Sequence, residues 1–272
     1  MFDTSMRVVE KRRDLPAFTA TRLCGAGKFV VRRGEAHQIQ LRGAAAELAR
    51  LRVEVVDGTL VVRRRPRVWL APWICVNPPF RRGIEAVITV PTLERLHASG
   101  AVNVMAESIS CEGDFAIGLS GSARAALAGV TASRFRFAAS GACRLDLAEL
   151  DATDASVSLS GSGRARLVGI SGGTLRLTLS GAGVVDAAGT VESLDVRMSG
   201  AGKLRAATLK AADAAIRLSG AGKVAVWATG QLEVNASGAG RVEYVGNPIL
   251  RQRLSGAIRI RPLRSSASPA QA

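Results

Sequence analysis

The stretch VSLSGSGRARLVGISGGTLRLTLSGAGVVDAAGTVESLDVRMSGAGKLRA, residues 157–206, decides the fold. It carries a Ser-Gly dipeptide at Ser160, Ser180 and Ser199, and outward from it the same dipeptide stands at Ser99, Ser120, Ser140, Ser219, Ser237 and Ser255. The steps between these serines are 21, 20, 20, 20, 19, 20, 18 and 18 residues. A fixed period of this size marks one structural unit stacked on copies of itself, each burying its apolar face only against its neighbours.

Within the unit the apolar residues alternate. Three residues before the serine stand Leu96, Ile117, Phe137, Val157, Leu177, Val196, Ile216 and Val234, with Gln252 breaking the column at its end. Five residues after it come Val104, Ala125, Leu145, Ala165, Val185, Leu204, Val224, Val242 and Ile260. A period of two is the mark of strands with one buried face. Ser-Gly is followed by Ala or Ser, and in five repeats by a second glycine (Gly163, Gly183, Gly202, Gly222, Gly240), so it reads as a tight corner between short strands. A unit of this length has no room for a long helix. The chain is therefore expected to be all-β: a parallel β-helix, or β-solenoid, of about nine coils of about 20 residues and roughly 40 Å long. The serines in register are expected to hydrogen-bond along the stack or with the corner backbone.

The remaining segments differ in kind. Residues 1–17 are polar and basic and read as an arm. Residues 18–65 alternate less regularly and are expected to form atypical first coils that cap the N-terminal end. Residues 66–83, PRVWLAPWICVNPPFRRG, form an insertion rich in Trp and Pro, regular coils fill 84–262, and residues 263–272 read as a disordered tail by composition. One solenoid domain thus spans 18–262.

An irregular β N-terminus, then Val90-Pro91-Thr92-Leu93, then S-G-x-G coils, resembles the putative auto-transporter adhesin head GIN domain family of bacteria. The ending strengthens the resemblance, with Ser237-Gly238-Ala239-Gly240 running into Gly246-Asn247-Pro248 and a final Leu254-Ser255-Gly256. The resemblance implies a right-handed, single-stranded β-helix in a cell-envelope or surface setting, acting as an adhesin head, and brings no catalytic residues with it. The start of the sequence shows no secretory signal, so a cytoplasmic location stays open. The longest apolar run, Val68–Val76, has nine residues, too short for a membrane helix.

The net charge is +15, from 37 Lys and Arg against 22 Asp and Glu, and nearly all of the cations are arginine. Such a balance favours polyanionic partners. Four residues after the repeat serine stand Asn103, Arg124, Arg144, Arg164, Val184, Lys203, Lys223, Arg241 and Arg259. Stacked, the seven cations form a stripe spaced about 4.8 Å apart. Two readings are open: a site for a repeating anion such as an acidic glycan or lipopolysaccharide, or a solvated face partly neutralised by Asp146, Asp186 and Glu243 two positions on. A second candidate contact patch is Trp69, Trp73 and Phe80, for sugars or a partner subunit, unless the loop simply folds back on the solenoid. Trp227 stands in an outward-looking column.

Catalysis finds little support. Gly169-Ile170-Ser171-Gly172-Gly173 matches the G-x-S-x-G pattern of a hydrolase elbow, but it lies inside a β repeat, and the chain holds only His37 and His97 as bases. Parallel β-helices also carry polysaccharide-processing enzymes, which need clustered carboxylates. Asp146, Asp151 and Asp154 are the nearest approach to such a cluster. The four cysteines, Cys24, Cys75, Cys111 and Cys143, show no CxxC spacing, and Cys24 and Cys143 stand where the repeats have small residues. No metal or cofactor is expected. Specific nucleic-acid binding has no reader motif behind it, and a homo-oligomer is left open.

Overall fold

The computed structural model describes residues 8–64, 68–71, 74–76 and 83–263, with side chains for 9–64 and 83–263. Its N-terminal part comprises β1 (Val8–Asp14), β2 (Ala20–Arg33), β3 (Gln38–Ala44), α1 (Ala45–Leu48), β4 (Leu51–Val56), β5 (Thr59–Arg64), β6 (Val68–Ala71), β7 (Ile74–Val76) and β8 (Glu85–Val90). The body runs through β9 (Arg95–Ser110), β10 (Asp114–Gly121), β11 (Arg124–Gly141), β12 (Arg144–Leu147), β13 (Leu150–Gly161), β14 (Arg164–Gly181) and β15 (Val184–Gly200). It ends with β16 (Lys203–Gly220), β17 (Lys223–Ala228), β18 (Gln231–Gly238), β19 (Arg241–Val245), β20 (Ile249–Gly256) and β21 (Arg259–Pro262). All of these strands except the β6–β7 pair join one 19-stranded sheet wound upon itself.

From β9 onward every pairing is parallel, and the repeat serines stand opposite one another from Ser99 to Ser255, eight complete turns of a β-solenoid. The inward columns are the apolar ones. Leu96, Phe115, Phe135, Leu177, Val196 and Leu232 are among the fully buried side chains, and the Phe115 and Phe135 rings lie 6.3 Å apart between successive coils. The second glycine, in the five corners that have one, is also buried, and Cys143 occupies that position at 1% exposure, so its thiol replaces a hydrogen at the core wall.

The corner depends on the first glycine. Gly161 has φ +106°, and a Cβ built there would stand 2.8 Å from the Gly141 carbonyl oxygen one coil below. An L side chain would be strained both by that conformation and by the neighbouring backbone. The close approach lets Ala182 N–H donate to the Gly161 carbonyl at 3.0 Å, and the same bond recurs at Ala142, Ser162, Ala201, Ala221, Ala239 and Ala257. The expected serine ladder does not form. From Ser140 onward the repeat serines are exposed, and none of the nine hydroxyls bonds within the described residues, because position zero of the repeat faces outward.

The N-terminal end is closed differently. β2 is a true coil, with Cys24 opposite Ser99 and Gly25 opposite Gly100, and it pairs in parallel with β9 over twelve positions. Beneath it lie β5 against Ala20–Leu23 and β8 against Lys28–Arg33. Antiparallel pairs then take over: β4 on β5, β3 on β8, and β1 on β3. Residues 8–14 therefore add an ordered strand where the sequence reads as a basic arm. Covering the end with antiparallel strands removes an edge that could otherwise pair with another chain.

Two outcomes test this account. Gly161→Ala is expected to destabilise the fold by about 2 kcal/mol, read by chemical denaturation. Gly113→Ala, where φ is not left-handed and no atom lies within 4 Å of an added Cβ, should change stability by less than about 0.5 kcal/mol. Burial raises the thiol pKa of Cys111 and Cys143, against weaker lowering by backbone hydrogen bonds. A protonated thiol is a poor nucleophile. Among the three cysteines whose side chains are described, an alkylating reagent at neutral pH should therefore modify half-buried Cys24 before Cys111 and Cys143, which it should reach only in denaturant, as peptide mass spectrometry would show.

Candidate functional site

The short strand after each corner alternates inward and outward, with Ala125, Leu145, Ala165, Leu204 and Val224 in the core and the preceding residue in solvent. The register sets Asn103, Arg124, Arg144, Arg164, Val184, Lys203, Lys223, Arg241 and Arg259 opposite one another in a single file. All seven candidate cations are thus brought together. The backbone under each is fixed by the inter-coil ladder: Arg144 N–H donates to Ala123 O at 3.0 Å, Arg164 to Cys143 O at 2.8 Å, and Lys203 to Gly183 O at 2.9 Å. Successive side chains therefore leave the sheet about 4.8 Å apart. Arg124, Arg144, Arg164, Lys203, Lys223 and Arg259 are exposed, and Arg241 is half-buried.

Lys28 is an eighth member, exposed and opposite Asn103. It stands four residues after Cys24, so counting from the cysteine, as from the repeat serines, would have found it.

The face that precedes the corner is equally rich in arginine, but there five of the nine arginines have acids, while Arg22, Arg95, Arg251 and Arg253 have no ion-pair partner among the described residues. Arg134 and Arg136 both reach Asp114, at 3.1 and 3.2 Å, and Arg176 reaches Asp154 at 3.4 Å. Arg197 and Arg217 share Asp195, each at 3.3 Å. On the stripe, among the described residues, only Arg241 has such a partner, Glu243 at 3.8 Å. Asp186 turns to Arg205 at 3.0 Å and not to a stripe cation. Arg124, Arg144, Arg164, Lys203, Lys223 and Arg259 have no ion-pair partner among the described residues. Exposed pairs of this kind each contribute under about 1 kcal/mol. Their distribution matters more: one face is partly neutralised from within over its middle coils, while the other carries a file of like charges about 4.8 Å apart, broken by Asn103 and Val184, whose repulsion an external anion would relieve.

The other candidates are scattered. Ser171 stands opposite Asp151 and Thr190. His97 is on β9 at least three coils away, about 14 Å along the stack, and His37 packs on Phe18 at the N-terminal end with ring centroids 5.1 Å apart. Asp154 is paired with Arg176, while Asp146 and Asp151 lie on two other stretches of the coil. Among the described residues no three His, Cys, Asp or Glu side chains stand close enough together to hold a metal ion. Trp73 and Phe80 lie outside the described residues, and of Trp69 only the backbone, in β6, is described. Trp227 is half-buried, opposite Lys210 and Val245. No helix among the described residues is long and apolar enough to cross a membrane.

Solved structures share this architecture. A "putative lipid binding protein" from Parabacteroides distasonis superposes with a TM-score of 0.69 at 18% identity, covering 94% of this chain and 97% of that one. A "putative adhesin" from Parabacteroides merdae gives 0.69 at 15% identity, with 95% and 97% covered. A "putative adhesin" from P. distasonis gives 0.71 at 15% identity, with 96% and 98% covered. At these identities the likeness is one of fold. No curated protein matches the chain. The family model described as "Putative auto-transporter adhesin, head GIN domain" matches residues 17–148 and again 137–248, the first span taking in the cap and early coils and the second continuing along the stack. The chain therefore belongs to the auto-transporter adhesin head GIN domain family.

Proposed function

We propose that this chain is a non-catalytic binding or scaffold module of the bacterial cell envelope or surface, and that its basic stripe holds a repeating anion such as an acidic glycan or the phosphates of lipopolysaccharide. The observation that carries the reading is the contrast between the two faces. Five of nine arginines before the corner pair with Asp114, Asp154 and Asp195, whereas after it six of the seven stripe cations have no acid among the described residues. A chain that only needed a soluble surface could have paired both faces alike. Holding the unpaired file costs stability through repulsion, and a polyanion with charges at a comparable pitch offsets that cost along the whole length. The ligand is held by many weak, screened contacts, so affinity should grow with the number of coils engaged and fall with salt.

The test replaces Arg144, Arg164, Lys203 and Lys223 together with Gln. Binding to lipopolysaccharide and to an acidic glycan at low salt is expected to fall by about tenfold or more, while thermal stability holds or rises as the repulsion is relieved. Equal retention of the two proteins would instead mark the stripe as a solvated face.

A further inference from the structure

The strand after each corner carries more than the cations. Two residues beyond the stripe the outward column is mixed: Met105, Ala126, Asp146, Arg166, Asp186 and Arg205 stand in register, and Asp186 is bridged to Arg205. Two residues further, where the coil bends, the side chains turn apolar. Ala128, Ala148 and Val168 each follow a buried, register-paired leucine, and higher in the stack Trp227 stands opposite Val245. Met105 and Val168 are 43% and 38% exposed, unusual for large aliphatic side chains. With Ala126, Ala128 and Ala148 they line one shallow trough, which Asp146 and Arg166 also border. A cationic file and an apolar ridge thus run side by side along the stack, Met105 lying two residues and Ala128, Ala148 and Val168 four residues from the file, about 7 and 13 Å across the strand.

We propose that this face docks flat on a lipid bilayer containing anionic lipids, with the stripe on the phosphates and the Met105–Val168 ridge entering the headgroup boundary. The inference rests on the anion-binding reading above and names the surface that presents the anions. Charge complementarity selects the occupant. The cations without acid partners border this ridge, whereas on the face before the corner Arg134, Arg136, Arg176, Arg197 and Arg217 are tied to acids and the exposed apolar side chains, Ile249 and Leu254, stand only on the last coil. Long Arg and Lys side chains can spread their apolar stems on the surface and keep their charge at the phosphates. The file from Lys28 to Arg259 spans about 40 Å, too long for one headgroup and suited to many at once. A glycan would gain nothing from exposed Met and Val, whereas an acyl boundary would.

The experiment compares the wild type, Met105→Gln/Val168→Thr, and the four-site Gln variant on vesicles of phosphatidylcholine with and without phosphatidylglycerol, and on soluble dextran sulfate. The wild type should bind vesicles containing phosphatidylglycerol and bind those without it about tenfold more weakly. Met105→Gln/Val168→Thr keeps every charge, so it should bind dextran sulfate unchanged and lose about tenfold on the anionic vesicles. Equal vesicle binding by the wild type and the Met105/Val168 variant overturns the bilayer inference, as does binding to dextran sulfate without binding to vesicles. In both cases the anion-binding reading survives. That reading falls separately if the four-site variant binds dextran sulfate as the wild type does.

Discussion

Each coil rests on the next through a corner where two backbones come closer than any side chain would allow. The first glycine of the Ser-Gly pair is left-handed at every repeat from Gly100 to Gly256, and from Gly100 to Gly238 its carbonyl accepts a hydrogen bond from the coil above. Because the corner cannot slide, the register on either side of it is fixed. The columns that fill the core and the file of cations both follow from that registration. A slip of one residue in any strand would send Leu145 or Val224 to solvent and Arg144 or Lys223 into the core.

Registration also turns a local sequence habit into a long-range electrostatic pattern. A single Arg at the fourth position after a serine is an ordinary exposed side chain. Nine coils in one register make it a line of charge. The same geometry works on the other face, where Arg176 finds Asp154 and Arg217 finds Asp195 across 22 residues of chain. Those pairs exist only because one coil sits directly over the next. The two faces therefore differ in where the acids fall relative to the period, not in their supply of arginine.

The parts that repeat were legible in the sequence, because period-two columns counted from the serine need no knowledge of tertiary structure. The inward columns, the corner and the seven stripe cations were all found that way. Three things were hidden. The serine hydroxyls were expected to bond and instead face solvent, since spacing alone does not say which way position zero points. The closing strands β1, β3 and β4 pair antiparallel with partners such as Ala44 and Thr89, and non-repeating segments give no column to count. The apolar ridge escaped because Met105 and Val168 stand in two different columns, six and eight residues after the serine, which also hold Asp146, Arg166 and Glu107, so neither column reads as apolar.

Among the described residues the stack is closed by antiparallel strands at one end and finishes with β20 and β21 at the other, which makes the two ends unequal under load. Inter-coil hydrogen bonds lie along the stack axis, so tension applied along that axis would open them a few at a time, starting from the coil that has a neighbour on one side only. A pull directed across the strands would instead strain a whole layer at once. A rod lying on a surface takes force mainly in the second way and one standing upright in the first. The direction from which such a head is tethered would then decide whether it gives way by peeling or holds until an entire coil shears.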